Sequence, residues 1–121
     1  MKGFSSNTQL LQLIFDELRE ILKITLLIRE MVLKEEFERL PDYLSQREQK
    51  IERLAELLNE LKGIKNEIPN FQQVKSEIKT IFDEVLKIEA ENADNIREKM
   101  KEISEELIKL IERRKILNYL R

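Results

Sequence analysis

The chain has 121 residues, of which 38% are charged and 41% hydrophobic, with two Gly, two Pro and no Cys. That mixture belongs to long amphipathic helices packed into one domain, and it excludes a β-rich fold, a disordered chain and a disulfide framework. A net charge of −2 with the signs interleaved offers no extended basic surface, which argues against nucleic acid as a partner.

Taken in chain order, residues 1–6 read as frayed, with Ser6 or Asn7 placed to cap a first helix over 7–33. Its apolar arc is broad: Leu10, Leu11, Ile14, Leu18, Ile21, Leu22, Ile28 and Val32, widened by Leu13, Ile24, Leu27 and Met31. A helix touching one neighbour needs only a narrow seam, so this one is expected in the middle of a bundle. Lys34 to Leu40 reads as a join, because Pro41 lacks an amide hydrogen and biases Leu40 away from helical dihedrals. Proline suits the first helical position, so a second helix is expected over 41–62. Its stripe is Leu44, Ile51, Leu54, Leu58 and Leu61, with Arg47 in one seam position, and Gly63 is the expected left-handed residue past its end.

After a connector containing Pro69, Asn70 and Gln73 resemble a capping box at the start of a third helix over 71–114. Phe71, Val74, Ile78, Ile81, Val85 and Ile88, then Ile96, Met100, Ile103, Leu107 and Leu110, recur at helical steps. Unbroken, it would be roughly 65 Å long, against roughly 40 and 33 Å for the first two helices. Two features bear on its continuity. Asp83 with Lys87 and Glu105 with Lys109 are spaced to support it as ion pairs. Glu91, Asn92, Asp94 and Asn95, within 89–95, are placed as a hinge, because Asn and Asp favour helices poorly and the apolar spacing slips there. The expected fold is therefore all-α: a single helical domain over 1–121, an antiparallel three-helix bundle or helical hairpin with a long C-terminal helix. A break at 89–95 would turn the end of that helix into a fourth. If the helix holds, the face from Met100 to Leu110 projects past its neighbours.

The longest apolar run, Ile24 to Ile28, is far short of the ~20 residues a membrane helix needs. The first residues also lack the apolar core of a signal peptide, so a cytoplasmic protein is expected. With neither His nor Cys, the chain cannot build a serine or cysteine triad, the usual zinc sites or a Glu-x-x-His di-iron site. Glu17 with Glu20, Glu35 with Glu38, and Glu102 with Glu105 have the spacing of acids that hold Mg²⁺ in helical nucleotide hydrolases. At this Glu density such pairs also arise by chance on solvated faces. No enzyme activity, metal or cofactor is expected. Arg113-Arg114-Lys115 either complements a helix dipole or meets an acidic partner. Ile116, Leu117, Tyr119 and Leu120 form an apolar tip suited to packing or docking.

The first helix ends in Met31-Val32-Leu33, followed by Glu35-Glu36-Phe37-Glu38-Arg39-Leu40. Next comes Leu44-Ser45-Gln46-Arg47-Glu48, leading to Ile51 and Leu54. Ile88-Glu89-Ala90-Glu91-Asn92 opens a charged helix that closes on Arg114-Lys115-x-x-Asn118-Tyr119. Over most of its length this order resembles the bacterial flagellar type III export chaperones of the FliT and FlgN kind, the FliT branch more closely. Pro41 departs from the helix-favouring residues expected there. The resemblance implies a small cytoplasmic chaperone that binds the C-terminal helical segment of a flagellar cap or hook-associated protein in an apolar groove and delivers it to the export apparatus. By position, partner binding then falls on Met100, Ile103, Leu107, Leu110, Ile111, Ile116, Leu117 and Tyr119. The alternative is a coiled-coil structural or scaffold protein that covers the same stripe by self-association, as a homodimer.

Overall fold

A computed structural model describes the backbone of residues 2–120 and the side chains of residues 7–120. Three helices follow one another: α1 (Lys2–Leu33), α2 (Leu40–Gly63) and α3 (Phe71–Leu120), with a short 3₁₀ turn, Lys65–Glu67, between the last two. The described residues contain no strand. α1 lies in the middle and packs along both α2 and α3, which touch each other far less. That arrangement is what its broad apolar arc requires. Ile14, Leu18, Ile21, Ile28 and Val32 are all but sealed from solvent. Two core clusters run along the bundle. The larger joins Leu10, Ile14, Leu18 and Ile21 to Leu54, Leu57 and Leu61 of α2 and to Ile78 and Val85 of α3. The smaller joins Ile24, Ile28, Val32 and Leu40, with Phe37 and Ile96 packed against it.

The ends of the helices differ from their sequence signals in several places, among them α3, which runs to Leu120 where the sequence placed its end near 114. α1 begins at Lys2, so Ser6 and Asn7 lie inside it rather than at its cap. Extending a nucleated helix by a turn costs little, since each added residue brings a hydrogen bond. At the other end of α1, Glu35 takes the left-handed conformation (φ 59°). The Glu36 amide donates to the Met31 carbonyl at 2.9 Å and the Glu35 amide to the Val32 carbonyl at 3.2 Å, the paired bonds of a Schellman cap. Gly63, expected to be left-handed, is instead the last residue of α2 and has no positive φ. The chain there leaves through right-handed turns: the Ile64 amide donates to Leu61 and the Glu67 amide to Ile64. Asn70 is left-handed (φ 58°), which its short polar side chain tolerates, and its carbonyl accepts from the amides of Gln73 and Val74. Pro41 sits in the first turn of α2, where its missing amide hydrogen costs nothing.

α3 is one helix of 50 residues, unbroken through 89–95. The hinge placed at Glu91, Asn92, Asp94 and Asn95 is therefore absent as a break, and no fourth helix forms. The physical reason lies in the Asn92 side chain. It is 4% exposed and turned into the bundle, where Nδ2 donates to the Thr25 carbonyl of α1 at 3.1 Å. Thr25 is itself fully buried, and its Oγ1 donates to the Ile21 carbonyl one turn back at 2.8 Å. A backbone carbonyl has two lone pairs, so Thr25 can accept from Asn92 without giving up its helical bond. A residue of poor helix propensity is thus held in the helix by a tertiary contact. Glu91 and Asp94 face solvent, and Asn95 is half-buried.

Asn92 Oδ1 is buried with no hydrogen-bond partner among the described residues. Asn92→Leu removes that cost together with the hydrogen bond. Its expected effect is stability unchanged or raised by up to about 1 kcal/mol. Register should become less uniquely fixed, seen as a broadened distance distribution between spin labels at Arg29 and Lys101. A clear fall in melting temperature would mean that the hydrogen bond outweighs the buried amide.

Candidate functional site

Where α3 leaves the bundle follows from its pairing with α1. The two helices run parallel, and Thr25 faces Asn92, 67 residues further along the chain. With equal rise per residue, that offset sets Leu33, the last residue of α1, level with Met100. Beyond that level every residue from Met100 to Leu120 is exposed. Roughly 30 Å of helix therefore runs on past the end of α1, with Glu35 and Phe37 of the following join beside Ile103 and Glu106 at its base.

The surface it presents is apolar to an unusual degree for solvated helix. Among the residues singled out by position, exposure runs from 52% at Ile103 to 93% at Tyr119, with Met100, Leu107, Leu110, Ile111, Ile116 and Leu117 between 54% and 64%. Ile108 and Leu120 belong with them, at 53% and 77%. An isolated exposed Leu needs no explanation, but this many exposed apolar side chains on one stretch of helix do.

The base of the projection is tied down electrostatically. Lys99 Nζ sits 2.8 Å from Glu35 Oε1 and 3.5 Å from Glu102 Oε2. The hydrogen bond to Glu35 is the main reason that the Lys99 ammonium is held above its ordinary value near 10.5, with the charges of Glu102 and Glu35 adding to it and desolvation opposing. Glu35 thus has two jobs: its backbone caps α1 and its carboxylate anchors α3. Other ion pairs fix α2. Arg47, half-buried in its seam position, places Nη1 3.1 Å from Glu89 Oε1 of α3. Glu17 is approached by Lys50 at 3.7 Å and Arg53 at 3.6 Å.

These contacts also account for members of the carboxylate pairs. Glu17 faces Lys50 and Arg53, whereas Glu35 and Glu102 meet on the same cation, Lys99, so two of the three pairs come together around a lysine. Among the described residues no group of three or more His, Cys, Asp or Glu side chains gathers to hold a metal ion. Asp83 with Lys87 and Glu105 with Lys109 do not close as ion pairs. Asp94 instead meets Arg97 at 3.5 Å. No helix among the described residues is long and apolar enough to cross a membrane.

A second apolar surface lies between α2 and α3. Because α1 occupies the middle, the outer two helices splay and leave a groove of ≈ 800 Å³ lined by Leu54, Leu58, Leu61, Phe71, Ile78 and Phe82. Lys62, Lys65, Lys75 and Lys79 border it, and no acidic residue does. Sequence reasoning missed this groove by treating α2 as having a single narrow seam. The signal was Leu57 beside Leu58: Leu57 is buried against α1, whereas Leu58 opens toward the groove.

No family model, curated protein or solved structure matches the chain. The functional reading therefore rests on these surfaces.

A lysine whose folded value is raised contributes stability that is fully present below its unfolded value and is lost as pH rises through the folded one. Lys99→Gln should accordingly lower the melting temperature slightly at pH 6–9, by a constant amount. The difference from wild type should close only above the ordinary lysine value near 10.5. A difference that varies between pH 6 and 9 would assign the contact to another titrating group.

Proposed function

We propose that this protein is a cytoplasmic chaperone of the flagellar export type, which holds an amphipathic helical segment of a client protein against the projecting half of α3. The reading is carried by one observation: Met100, Ile103, Leu107 and Leu110 form a continuous apolar row on a preformed helix, each of them more than half exposed. A client helix docks on such a row through side chains at three- and four-residue spacing. Burying about 600 Å² of apolar surface would contribute up to ~15 kcal/mol gross, much of it offset by the freedom lost on association. Micromolar to nanomolar affinity fits that balance.

The resemblance to the flagellar export chaperones implies the client class: the C-terminal helical segment of a filament-cap or hook-associated protein, kept from early assembly and passed to the export gate. The basic Arg113-Arg114-Lys115 group beside the row favours a segment with acidic flanks. The alternation of four- and three-residue steps from Ile96 to Leu110 favours a second reading, a coiled-coil scaffold that covers the row with its own kind.

Leu107→Asp together with Leu110→Asp distinguishes a docking surface from a core. Both side chains are more than half exposed, so thermal stability should be nearly unchanged. Binding of C-terminal segments from filament-cap or hook-associated proteins, followed by fluorescence anisotropy, should weaken by ~100-fold or more. A large drop in melting temperature, or unaltered binding, would overturn the proposal.

A further inference from the structure

The groove between α2 and α3 is polarised along its length. Its α2 wall reads Leu54, Leu58, Leu61, Lys65 and its α3 wall Phe71, Lys75, Ile78, Phe82, each at steps of four, three and four. The contact of Arg47 with Glu89 fixes how these antiparallel rows match. With equal rise per residue it sets Leu54 level with Phe82 at the inner end, and it brings Lys65 within a turn of Lys75 at the end closed by the loop. Lys62 adds a third ammonium there, and Lys79 stands one turn further in. No acidic side chain lines the groove. Among the described residues none of these four lysines closes an ion pair, whereas Lys34, Lys50 and Lys99 do. The groove therefore offers an apolar slot with uncompensated positive charge at one end.

We propose that it binds a single-chain anionic amphiphile, a fatty acid carboxylate, with the head between Lys65 and Lys75 and the chain running inward to Leu54 and Phe82. Leu54, Leu61 and Ile78 are buried and form a floor held by the core, while Leu58, Phe71 and Phe82 are half-buried walls. The slot thus exists before any ligand arrives, so little ordering is needed on binding. Its shape suits a narrow chain better than a helix. Only two levels, Leu54 with Phe82 and Leu58 with Ile78, are apolar on both sides, which is about one helical turn. A docked helix anchors through side chains spread over about two turns, and here its second turn would meet the lysines. From Phe82 to Lys75 the slot measures roughly 10 Å. An extended chain of about eight carbons covers that length, and about ten to twelve fill it with the overhang toward the loop. The inference does not rest on client capture. The slot lies roughly 40 Å along α3 from Leu107, so both surfaces can be occupied at once.

Titration calorimetry of the full chain with octanoate, decanoate and dodecanoate, each kept below its micellar concentration, tests the assignment. One molecule should bind per chain, with dodecanoate dissociating at roughly 10–100 µM and each two carbons added tightening binding about 3- to 10-fold. Dodecanoate should also raise the melting temperature, as a ligand held by the folded chain alone does. Dodecyltrimethylammonium has the same chain and the opposite charge, and it should bind at least ~10-fold more weakly. Lys65→Glu with Lys75→Glu should weaken dodecanoate at least ~10-fold, with circular dichroism checking that the helices persist. Where that reversal disturbs the fold, Lys65→Gln with Lys75→Gln should still weaken it by ~3-fold or more. Leu107→Asp with Leu110→Asp should leave binding unchanged, and a loss there would place the acid on the projecting row and overturn the choice of site. A silent titration, several molecules per chain, or equal binding of the cationic amphiphile would overturn the proposal. So would a groove that ignores dodecanoate and instead binds an acidic helical peptide of repeating Leu-Glu-Glu-Leu-Leu-Glu-Glu through the same lysines, since that outcome makes it a seat for protein.

Discussion

The hydrogen bond from Asn92 to the Thr25 carbonyl sets the register on which the rest of the molecule depends. It crosses from one helix to another, whereas side-chain bonds such as Thr80 to Ser76 stay within a helix. Apolar packing alone tolerates sliding by a turn, because Leu, Ile and Val side chains interdigitate in several ways. A buried amide with one available acceptor does not. Once Asn92 is level with Thr25, Ile96 reaches the cluster around Ile28 and Val32, Lys99 reaches Glu35, and every residue from Met100 to Leu120 is exposed. The exposed row is thus a consequence of register and of unequal helix length, not of a poorly packed end.

Much of this was legible in the sequence. Periodicity without Gly or Pro marks α1 and α3, and the breadth of the arc on α1 marks it as the helix between two others. Pro41 locates the start of α2 to within a residue. The stretch 89–95 was misleading because propensity is a local quantity, and the contact that keeps Asn92 helical comes from a residue 67 positions away. Gly63 misled for a related reason: a glycine permits left-handed backbone without requiring it. The chain placed that conformation at Glu35 and Asn70, where cap and loop geometry demand it. Glu17 and Glu35 are taken up in ion pairs with other elements, which spacing along one helix cannot reveal.

The candidate surface was legible as a deficit, since the first two helices are too short to cover the third. Its electrostatic footing was not. Lys99 and Glu35 are distant in sequence and meet only because the Schellman cap at the end of α1 turns Glu35 toward α3. The groove between α2 and α3 escaped for the complementary reason. Counting apolar residues per helix does not tell whether two outer helices close on each other or splay, and here the width of α1 keeps them apart.

The unbroken course of α3 has a mechanical consequence. A stiff rod held near its middle acts as a lever, and Asn92 is its pivot. Tilting it by about 5° there would shift Lys99 by under ~1 Å, small enough for its ionic contact to survive, while sweeping Leu117 sideways by roughly 3 Å. Small adjustments inside the core can therefore reposition the far tip without melting a single turn.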